Sequence, residues 1–377
     1  MGGNMSNRHI AIVAPPWYPI PPVGYGGIEI VLDLLVKELR AQGDRVTLYA
    51  CEGTRDAVTL APAGWEADLG KEFHEMRSVT YAARVLEDLS NRKDVDLIHD
   101  HAGWSSLLGL AFSGSPAPIL HTVHGPIYEQ QSTTYKAVGN RVGLVAISND
   151  QKQSASDLNW AGTVYNAVDL PSLAYGSREA KQPYLLSLAR ITPEKGQHIA
   201  IEVAKRSGMR LIMAGKVGER DSEREYFEKE IAPHIDGTNI MYIQNVAGRD
   251  KAKVLAHATA LLAPVTWPEP FGLYIAEAMV SGTPVIGLRK GSVPELVTEG
   301  ITGFVCDDAD SMVEHVKDVT GIDTQACARR AREQFSPQAM ARNYRALYEK
   351  TIVEHGLAKS LKVTPPPVTR GGEGLVA

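Results

Sequence analysis

Short apolar segments alternate with helical segments along most of the chain, and this alternation restricts the fold more than any other feature. Residues 9–14 are apolar, residues 28–42 place apolar side chains at helical spacing, and residues 45–50 form a second apolar run. A strand, a helix and a further strand in this order predict a right-handed βαβ unit. We therefore expect an α/β protein with parallel sheets.

The alternation continues through both halves of the chain, after a predicted loop at 52–72. Both halves are of similar size, and 377 residues are too many for one ordinary domain. We expect strands at 96–101, 117–124, 143–148, 183–190, 210–215, 239–246, 260–265 and 283–288. We expect helices at 79–91, 197–206, 219–231, from Leu273, and at 312–319, 327–334 and 336–354. The predicted divisions are a first domain at 1–168, a hinge at 169–182, a second domain at 183–335, a terminal helix at 336–360 and a disordered tail at 361–377.

The composition is that of an ordinary globular protein and argues against nucleic-acid binding. Charged residues make up 22% of the chain, the formal net charge is −5, and the first 168 residues carry 13 basic against 18 acidic side chains. Three widely separated cysteines indicate neither a disulfide framework nor a zinc site. Because we find no apolar run of membrane-spanning length and no signal peptide, we expect a cytoplasmic location.

A loop rich in proline and glycine at 267–272 leads from a predicted strand into a helix, and two acidic side chains flank the helix start. Glu269 lies in the loop, and Glu277 lies about one turn into the helix. The free N–H groups and positive dipole of a helix N-terminus favour a phosphate, and Gly272 lets an anion approach the backbone. Either carboxylate can accept hydrogen bonds from sugar hydroxyls. Taken singly, Glu277 fits equally well as a carboxylate that only complements the helix dipole, and Glu269 as a solvated loop charge.

The loop between the first predicted strand and the first helix is also rich in proline and glycine. Its Gly-x-Gly-Gly sequence at 24–27 lacks the third glycine of the dinucleotide-binding motif, because Glu29 fills that position. A glycine-rich turn between a strand and a helix is most often structural. This loop alone therefore does not define a cofactor site.

Histidines lie at the carboxyl ends of two of the predicted strands. His99 and His101 alternate onto one side of their strand, and His124 ends the next one. As a metal-binding pair His99 and His101 lack a third ligand, so a polar pair at a strand end is the simpler interpretation. A histidine such as His124 is most often only hydrogen-bonded, although open α/β sheets bind ligands outside the carboxyl ends of their strands.

Two cations are expected in one loop of the second half. Arg190 ends a predicted strand, and Lys195 follows five residues later. Solvated charges at a helix start are the ordinary explanation. Because they coincide with a predicted phosphate site, however, they are candidates to neutralise a diphosphate. Lys216, after the strand that ends at Gly215, is a weaker candidate for the same anion.

The acidic run at 307–310 has the form of a metal-binding cluster. A helix start capped by Asp310 or Ser311 explains it better, because no further oxygen ligands lie nearby in the sequence. A second helix start is indicated by Ser336 at an N-cap position, followed by Pro337 at the first helical position.

The region around the loop at 267–272 closely resembles the donor-site signature of the family 4 retaining glycosyltransferases. The matching residues are Pro264-x-x-x-x-Glu269-Pro-Phe-Gly-Leu-x-x-x-Glu277-Ala-Met-x-x-Gly-Thr-Pro-Val-Ile, then Gly291-Ser-Val-Pro-Glu-Leu-Val and Gly300-x-x-Gly-Phe-Val. The spacing of the two glutamates is unspecific alone, but with these surroundings it forms a specific pattern. The resemblance implies the GT-B fold, in which two Rossmann-like domains with parallel sheets face each other across a cleft. It also implies that the last helix crosses back onto the first domain.

The resemblance further implies roles for individual residues. His124 and Glu269 would contact the transferred sugar and are the candidate catalytic residues, and Glu277 would hold the ribose. The family's Gly-Arg-x-x-x-x-Lys-Gly motif matches at Arg190 and Lys195, except that Ala189 stands for the first glycine. The candidate donor-binding residues are Gly26, Gly27, Arg190, Lys195, Gly215, Val246, Phe271, Gly272, Leu273 and Glu277.

The expected activity is transfer of a hexose-type sugar from a nucleoside diphosphate sugar to a hydroxyl acceptor. The resemblance implies retention of anomeric configuration, and neither a metal nor another cofactor is expected. The expected partners are the nucleotide-sugar donor and a saccharide or small-molecule acceptor, with a lipid-linked acceptor also open. Because the first half is acidic, we favour a soluble acceptor or transient membrane contact. Neither a nucleic-acid partner nor a transmembrane segment is expected.

Three other classes of protein are weighed against this expectation. A nicotinamide dehydrogenase would need a third glycine and an acidic residue about twenty positions further on, and the chain does not supply this pattern. Another GT-B enzyme, such as a nucleotide-sugar epimerase or a phosphorylase, would share the fold. A non-catalytic nucleotide-sugar-binding protein would bind the donor without releasing nucleotide when an acceptor is present.

Overall fold

Two separate parallel β-sheets organise the chain. The computed structural model describes residues 7–24, 26–65, 73–115, 117–218 and 220–362, with side chains up to residue 357. The strands of the first sheet are β1 (His9–Val13), β2 (Arg45–Cys51), β3 (Ala57–Ala61), β4 (Leu97–Asp100), β5 (Ile119–Val123), β6 (Gly143–Ala146) and β7 (Trp160–Thr163). Their order across the sheet is β3-β2-β1-β4-β5-β6-β7, and all neighbours are parallel.

The second sheet is built in the same way. Its strands are β8 (Gln182–Leu188), β9 (Arg210–Ala214), β10 (Ile240–Ile243), β11 (Ala258–Ala263), β12 (Val285–Leu288) and β13 (Gly303–Cys306). They are parallel in the order β10-β9-β8-β11-β12-β13. Each sheet and its helices form one domain, so the expected α/β class with two parallel sheets is confirmed.

Helices connect the strands in both domains. Those of the N-terminal domain are α1 (Gly27–Ala41), α2 (His74–Ser90), α3 (Trp104–Phe112), α4 (Glu129–Val138) and α5 (Asn149–Gln153). Those that follow are α6 (Gln197–Ser207), α7 (Asp221–Tyr226), α8 (Gly248–His257), α9 (Leu273–Val280), α10 (Val293–Leu296), α11 (Ala309–Asp318), α12 (Thr324–Phe335) and α13 (Pro337–Lys362). Among the described helices, none combines the length and the apolar composition needed to cross a membrane.

Helices cover both faces of the first sheet, because β1 carries apolar side chains on both of its faces. In β1, Ile10 and Ile12 belong to an apolar cluster with α1 and α13, whereas Ala11 and Val13 belong to a second cluster with α2 and α3. Successive strand residues point to opposite faces, so a fully apolar strand requires helices on both sides. This explains why β1 is buried along its whole length.

The last helix, α13, packs on the N-terminal domain although it follows the second sheet in sequence. Tyr344 and Tyr348 are buried in the same apolar cluster as α1. Arg345 Nε forms a buried ion pair with Asp44 Oδ2 at 2.8 Å. Ser336 Oγ accepts a hydrogen bond from Ala339 N, as the predicted cap requires.

The structure differs from the sequence predictions in several places. β3 lies inside the predicted loop at 52–72, and α2 begins five residues before the predicted residue 79. The helices that were not predicted are α3, α4, α5, α8 and α10, and the strands β7 and β13 were not predicted either. β10 ends at Ile243 instead of residue 246. The prediction of Asp310 or Ser311 as the cap of α11 was wrong, because Asp308 accepts the hydrogen bond from Ser311 N at 2.8 Å. Of the predicted tail, residues 361 and 362 belong to α13, and 363–377 lie outside the described residues.

Candidate active site

The first residues of two helices from opposite domains meet in the cleft. In each sheet the strand order reverses at one point, between β1 and β4 and between β8 and β11. Helix α1 follows β1, and α9 follows β11, so both helices begin beside these crevices. A Cβ atom placed on Gly27 would lie 3.4 Å from Leu273 Cδ1, which is van der Waals contact. Two helix N-termini, each with a partial positive charge, are therefore brought together.

The backbone at both helix starts has unused hydrogen-bond donors. Gly272 adopts a left-handed conformation (φ 78°) that caps α9 without any side-chain hydrogen bond. Within the described residues, no acceptor contacts the N–H groups of Gly272, Leu273 and Tyr274, nor those of Gly27 and Ile28. Such N–H groups are the ordinary ligands of phosphate at helix N-termini.

The loop that carries Glu269 is held from behind by the segment after β12. Ser292 N donates to Glu269 O at 2.9 Å, and Ser292 Oγ donates to Phe271 O at 2.8 Å. A Cβ atom on Gly291 would lie 2.2 Å from Glu269 N, so only glycine permits this approach. The Gly-Ser-Val-Pro-Glu-Leu-Val sequence therefore supports the loop that precedes α9.

Glu269 and Lys195 form a buried ion pair. Lys195 Nζ donates to Glu269 Oε2, and the two side chains are only 12% and 7% exposed. Trp267 Nε1 donates to the same oxygen at 3.3 Å, and Lys195 Nζ lies 4.9 Å from the centre of the Trp267 ring. Burial, with the Glu269 charge as a second cause, raises the pKa of Tyr274 well above its ordinary value. Lys195 and Glu269, both named from the sequence, are thus held together by their opposite charges.

Arg190 does not join this ion pair. Its side chain is exposed and forms no ion pair with any described residue, but Gln197 Nε2 donates to Arg190 O at 2.8 Å and fixes the backbone. Gly215 lies directly beside this turn, since a Cβ atom there would be 2.0 Å from Ala189 O. Gly215 therefore has a packing role at the ends of β8 and β9, whatever else contacts it. Val246 lies three residues beyond β10, partly buried against the core of the same domain.

Glu277 forms a second ion pair, with a residue that the sequence analysis missed. Lys251 Nζ on α8 donates to Glu277 Oε1 at 2.7 Å, and the side chains are 30% and 16% exposed. Neither the charge nor the spacing of Lys251 distinguishes it from other lysines in the sequence. Its proximity to Glu277 depends on how α8 packs beside α9.

In the N-terminal domain, histidines cluster at the carboxyl ends of β4 and β5. His101 Nδ1 lies 2.8 Å from His124 Nε2, and the rings of His99 and His101 are 4.0 Å apart. Burial, with neighbouring histidines as a weaker cause, lowers the pKa of His99 and of His101 well below 6.5 and that of His124 to about 3. His121 Nδ1 pairs with Asp100 Oδ2 at 2.6 Å. The contact between His101 and His124 was not predicted.

The remaining glycine of the predicted site lies beside a buried acid. A Cβ atom on Gly26 would be 2.8 Å from Pro22 Cβ and 3.0 Å from Glu29 Oε2, so this position is restricted to glycine. Glu29 is 5% exposed, and burial raises the pKa of its carboxyl group. The residue that breaks the dinucleotide-binding motif is therefore part of the first turn of α1.

The carboxylate of Glu295 forms hydrogen bonds between the two domains. Glu295 on α10 accepts hydrogen bonds at 2.8 Å from both Asn149 N and Asp150 N at the start of α5. Tyr165 OH donates to the same carboxylate at 2.9 Å. Burial, with Glu295 as a second cause, raises the pKa of Asp150. Glu295 thus caps a helix of the opposite domain.

Acidic residues elsewhere have partners of their own. In the run at 307–310, Asp307 pairs with Arg289 at 2.7 Å and Asp310 pairs with Arg206 at 2.5 Å, while Asp308 caps α11. Among the described residues, no three His, Cys, Asp or Glu side chains are grouped so that they could hold a metal ion.

Comparisons with known proteins agree with this arrangement. Residues 25–170 match the family model Glycosyltransferase Family 4, and residues 176–337 match Glycosyl transferases group 1. Spore coat protein SA of Bacillus subtilis is 22% identical, with 90% of this chain and 99% of that protein aligned.

Two solved structures share the fold over nearly the whole chain. AviGT4, a glycosyltransferase involved in avilamycin A biosynthesis, has a TM-score of 0.67 at 25% identity, covering 92% of this chain and 98% of that one. HepE from Anabaena, solved in complex with UDP-glucose, has a TM-score of 0.67 at 17% identity, covering 92% and 99%.

The two facing sheets and the matched families define a glycosyltransferase of the GT-B class. More particularly, the chain belongs to glycosyltransferase family 4, because its two matches lie in succession and together cover both domains. The resemblance stated from the sequence is thereby confirmed.

Proposed function

We propose that this glycosyltransferase transfers a hexose from a nucleoside diphosphate sugar to a hydroxyl acceptor, with retention of configuration and without a metal. The observation that carries the proposal is the close approach of the Leu273 side chain to Gly27, which brings together two helix N-termini, one of them in the domain that also holds the pair Lys195–Glu269. A diphosphate matches this environment, because it carries the negative charge that helix N-termini and a lysine favour. The UDP-glucose bound to HepE makes a nucleotide sugar the first donor to test.

In this proposal the donor spans the cleft. The diphosphate accepts hydrogen bonds from the N–H groups at the start of α9, with Lys195 and Arg190 as cations and Gly26 and Gly27 on the other side. The ribose hydroxyls bind Glu277, and the base lies near Val246. The sugar contacts Glu269 and His124. Each of these roles uses a group whose position is described above.

The reaction exchanges one bond at the anomeric carbon and transfers one proton. The bond between the anomeric carbon and the diphosphate oxygen breaks, its electron pair leaves with the nucleoside diphosphate, and the acceptor oxygen bonds to the same face of that carbon. The acceptor's proton passes to a phosphate oxygen of the leaving group. Donors aimed at the developing phosphate charge stabilise this transition state more than the ground state. Within this proposal no side chain serves as a covalent nucleophile.

We also propose that residues 169–182 form the hinge between the two domains. A second proposal is that the reaction takes place in the cytoplasm. The hinge range lies after β7, which ends at Thr163, and reaches Gln182, the first residue of β8. The location is supported by the cysteines Cys51, Cys306 and Cys327, which are buried free thiols, as is usual in a reducing compartment.

A panel of UDP-, GDP- and ADP-sugars tests the proposal in two stages. A ligand that binds only the folded state raises the melting temperature, so the true donor should give a clear shift at millimolar concentration. The same donor should then release nucleotide only when an acceptor is added, and proton NMR should show the donor's anomeric configuration in the product. Chelation with EDTA should leave the rate unchanged.

The alternative classes give different results in this panel. An epimerase changes the sugar without an acceptor, a phosphorylase releases sugar phosphate when phosphate is added, and a binding protein shows the melting shift without release. The absence of any shift with all three nucleotides would contradict the proposal.

A further inference from the structure

Three histidines form one group at the carboxyl ends of β4 and β5, on the N-terminal side of the cleft. The ring of His99 contacts that of His101 in a tilted arrangement with ring centres 4.0 Å apart, and His101 Nδ1 lies 2.8 Å from His124 Nε2. His101 is 4% exposed, whereas His124 is only partly buried. His124 is therefore accessible at the carboxyl end of its strand, and His101 lies behind it.

The hydrogen bond between His101 and His124 restricts where the protons lie. Their burial keeps the pKa of each ring below its ordinary value, so both are neutral at pH 7. A neutral imidazole carries one N–H and one lone pair. One of the two facing nitrogens must therefore donate and the other must accept.

The buried surroundings of His101 decide the direction. Its other nitrogen, Nε2, is fully buried and has no hydrogen-bond partner among the described residues. If His101 Nδ1 accepted, the proton would lie on Nε2 as a buried N–H without an acceptor. Orphaned N–H groups are rarer in proteins than acceptors that lack a donor. His101 Nδ1–H therefore donates to His124 Nε2.

This direction fixes the tautomer of His124. Since His124 Nε2 accepts, its proton lies on Nδ1, which has no partner within the described part of the chain and is not enclosed. We infer that His101 is a positioning residue, which holds His124 in the Nδ1–H tautomer so that it donates a hydrogen bond to an oxygen of the transferred sugar. The sugar contact rests on the proposed function, but the tautomer does not.

Contacts from the last helix hold the group in place. Tyr348 OH on α13 lies 2.7 Å from His99 Nδ1, and Thr122 Oγ1 lies 2.8 Å from His99 Nε2. Both ring nitrogens of His99 are thus engaged, so the ring has one orientation against His101. A rigid support behind His101 is what a positioning role needs.

Two variants of similar size separate positioning from folding. In His101→Asn the amide lies near the former Nδ1 and can still donate to His124, whereas in His101→Gln it lies near the former Nε2 and cannot. We expect kcat/KM for sugar transfer to fall about tenfold in His101→Gln and in His101→Leu, as expected for one lost hydrogen bond, but less than threefold in His101→Asn. The Kd of the nucleoside diphosphate, which has no sugar, should be the same in all three.

A spectroscopic measurement tests the tautomer without any activity. Two-bond ¹H–¹⁵N correlation spectra of the full chain labelled at histidine distinguish Nδ1–H from Nε2–H rings, and the His124 signal is the one lost in His124→Gln. We expect Nδ1–H for His124 in the wild type and in His101→Asn, and a tautomer mixture in His101→Leu.

The outcomes separate this inference from the proposed function. An active wild type whose His124 is Nε2–H overturns the inference, and so do equal losses of kcat/KM in the Asn and Gln variants with equal losses of melting temperature. A wild type with the Nδ1–H tautomer that turns over no nucleotide sugar contradicts the proposed function and the sugar contact, while the positioning of His124 by His101 stands.

Discussion

The two domains bring opposite chemistry to the same cleft. The C-terminal domain contributes two ion pairs, Lys195–Glu269 and Lys251–Glu277, with little exposed surface. The N-terminal domain contributes neutral histidines whose pKa values are lowered by burial, His124 among them. Fixed charges thus surround the proposed nucleoside diphosphate, whereas the proposed sugar lies between the carboxylate of Glu269 and the uncharged ring of His124.

The difference follows from how each half is built. In the C-terminal domain the charged residues come from loops and helix surfaces around α9, where cations and carboxylates can pair. In the N-terminal domain the histidines end strands at the centre of a sheet, where a charged ring would be costly unless it were paired. Charge in one half and neutrality in the other are therefore consequences of position in the fold.

The comparison predicts that removing a charge from the C-terminal half has the largest effect. In Glu269→Gln, Lys195 loses its partner and the sugar loses a carboxylate, so we expect kcat/KM to fall about 10²- to 10³-fold. The matched control is Glu202→Gln, which breaks an exposed pair with Arg206 on α6 and should change kcat/KM by less than twofold. Steady-state kinetics with the donor found in the panel would measure both, and near-normal activity of Glu269→Gln would contradict the assignment.

The second ion pair should matter for donor affinity more than for turnover. In Lys251→Met, Glu277 loses the cation that orients it, so we expect the Kd of the nucleoside diphosphate to rise about tenfold, as for one charged hydrogen bond. Lys253→Met, on the same helix but with its side chain 67% exposed, is the matched control. Isothermal titration calorimetry measures both. If both variants bind equally, the pair Lys251–Glu277 does not hold the ribose.

The neutral histidines should make the free energy of unfolding depend on pH. Their folded pKa values lie below the unfolded value of about 6.5, so the unfolded chain binds more protons as the pH falls. The contribution of these histidines to the free energy of unfolding is fully present above about pH 6.5. Below that pH the free energy of unfolding decreases by up to roughly 1.4 kcal/mol per pH unit for each histidine involved. Urea unfolding between pH 7 and pH 5 measures this slope.

Variants show whether the cluster causes that slope. His99→Gln removes one buried titrating ring and should flatten the slope, whereas His234→Gln removes an exposed ring and should not. An unchanged slope in His99→Gln would mean that the histidines of the N-terminal half are not the source of the pH dependence.

The contact between the halves should give the smallest effect. In Glu295→Ala the start of α5 loses the acceptor for two N–H groups, so we expect a loss of stability of about 1–2 kcal/mol. We also expect the radius of gyration without donor to rise and to return when the donor is added. Small-angle scattering with and without donor checks this, and identical curves for the variant and the wild type would argue against closure.

The sequence predicted best those elements that have strong local signals. Helix α9 begins at the predicted Leu273, because the glycine before it adopts a left-handed turn that only a few residues tolerate. Strand ends were less accurate, by up to three residues, because a strand ends where its pairing with a neighbouring strand ends and not where the local sequence changes. β3 was missed because Ala57–Ala61 is a short, half-exposed edge strand without a clear apolar pattern.

The sequence motifs named candidate site residues, but they did not predict how those residues pair in the structure. Every predicted site residue was named from motifs, yet the pairing of Lys195 with Glu269 joins residues 74 positions apart. Lys251 and Glu277 are 26 positions apart, and His101 and His124 are 23 apart. These contacts depend on which strands become neighbours and on how helices pack beside them. Periodicity and spacing carry no information on either.

The most direct test is a crystal structure with a bound nucleoside diphosphate. The account predicts that the distal phosphate lies within hydrogen-bond distance of the Leu273 N–H, close to Gly27, with the ribose against Glu277. A diphosphate bound elsewhere, with Leu273 still close to Gly27 and no phosphate beside them, would contradict it.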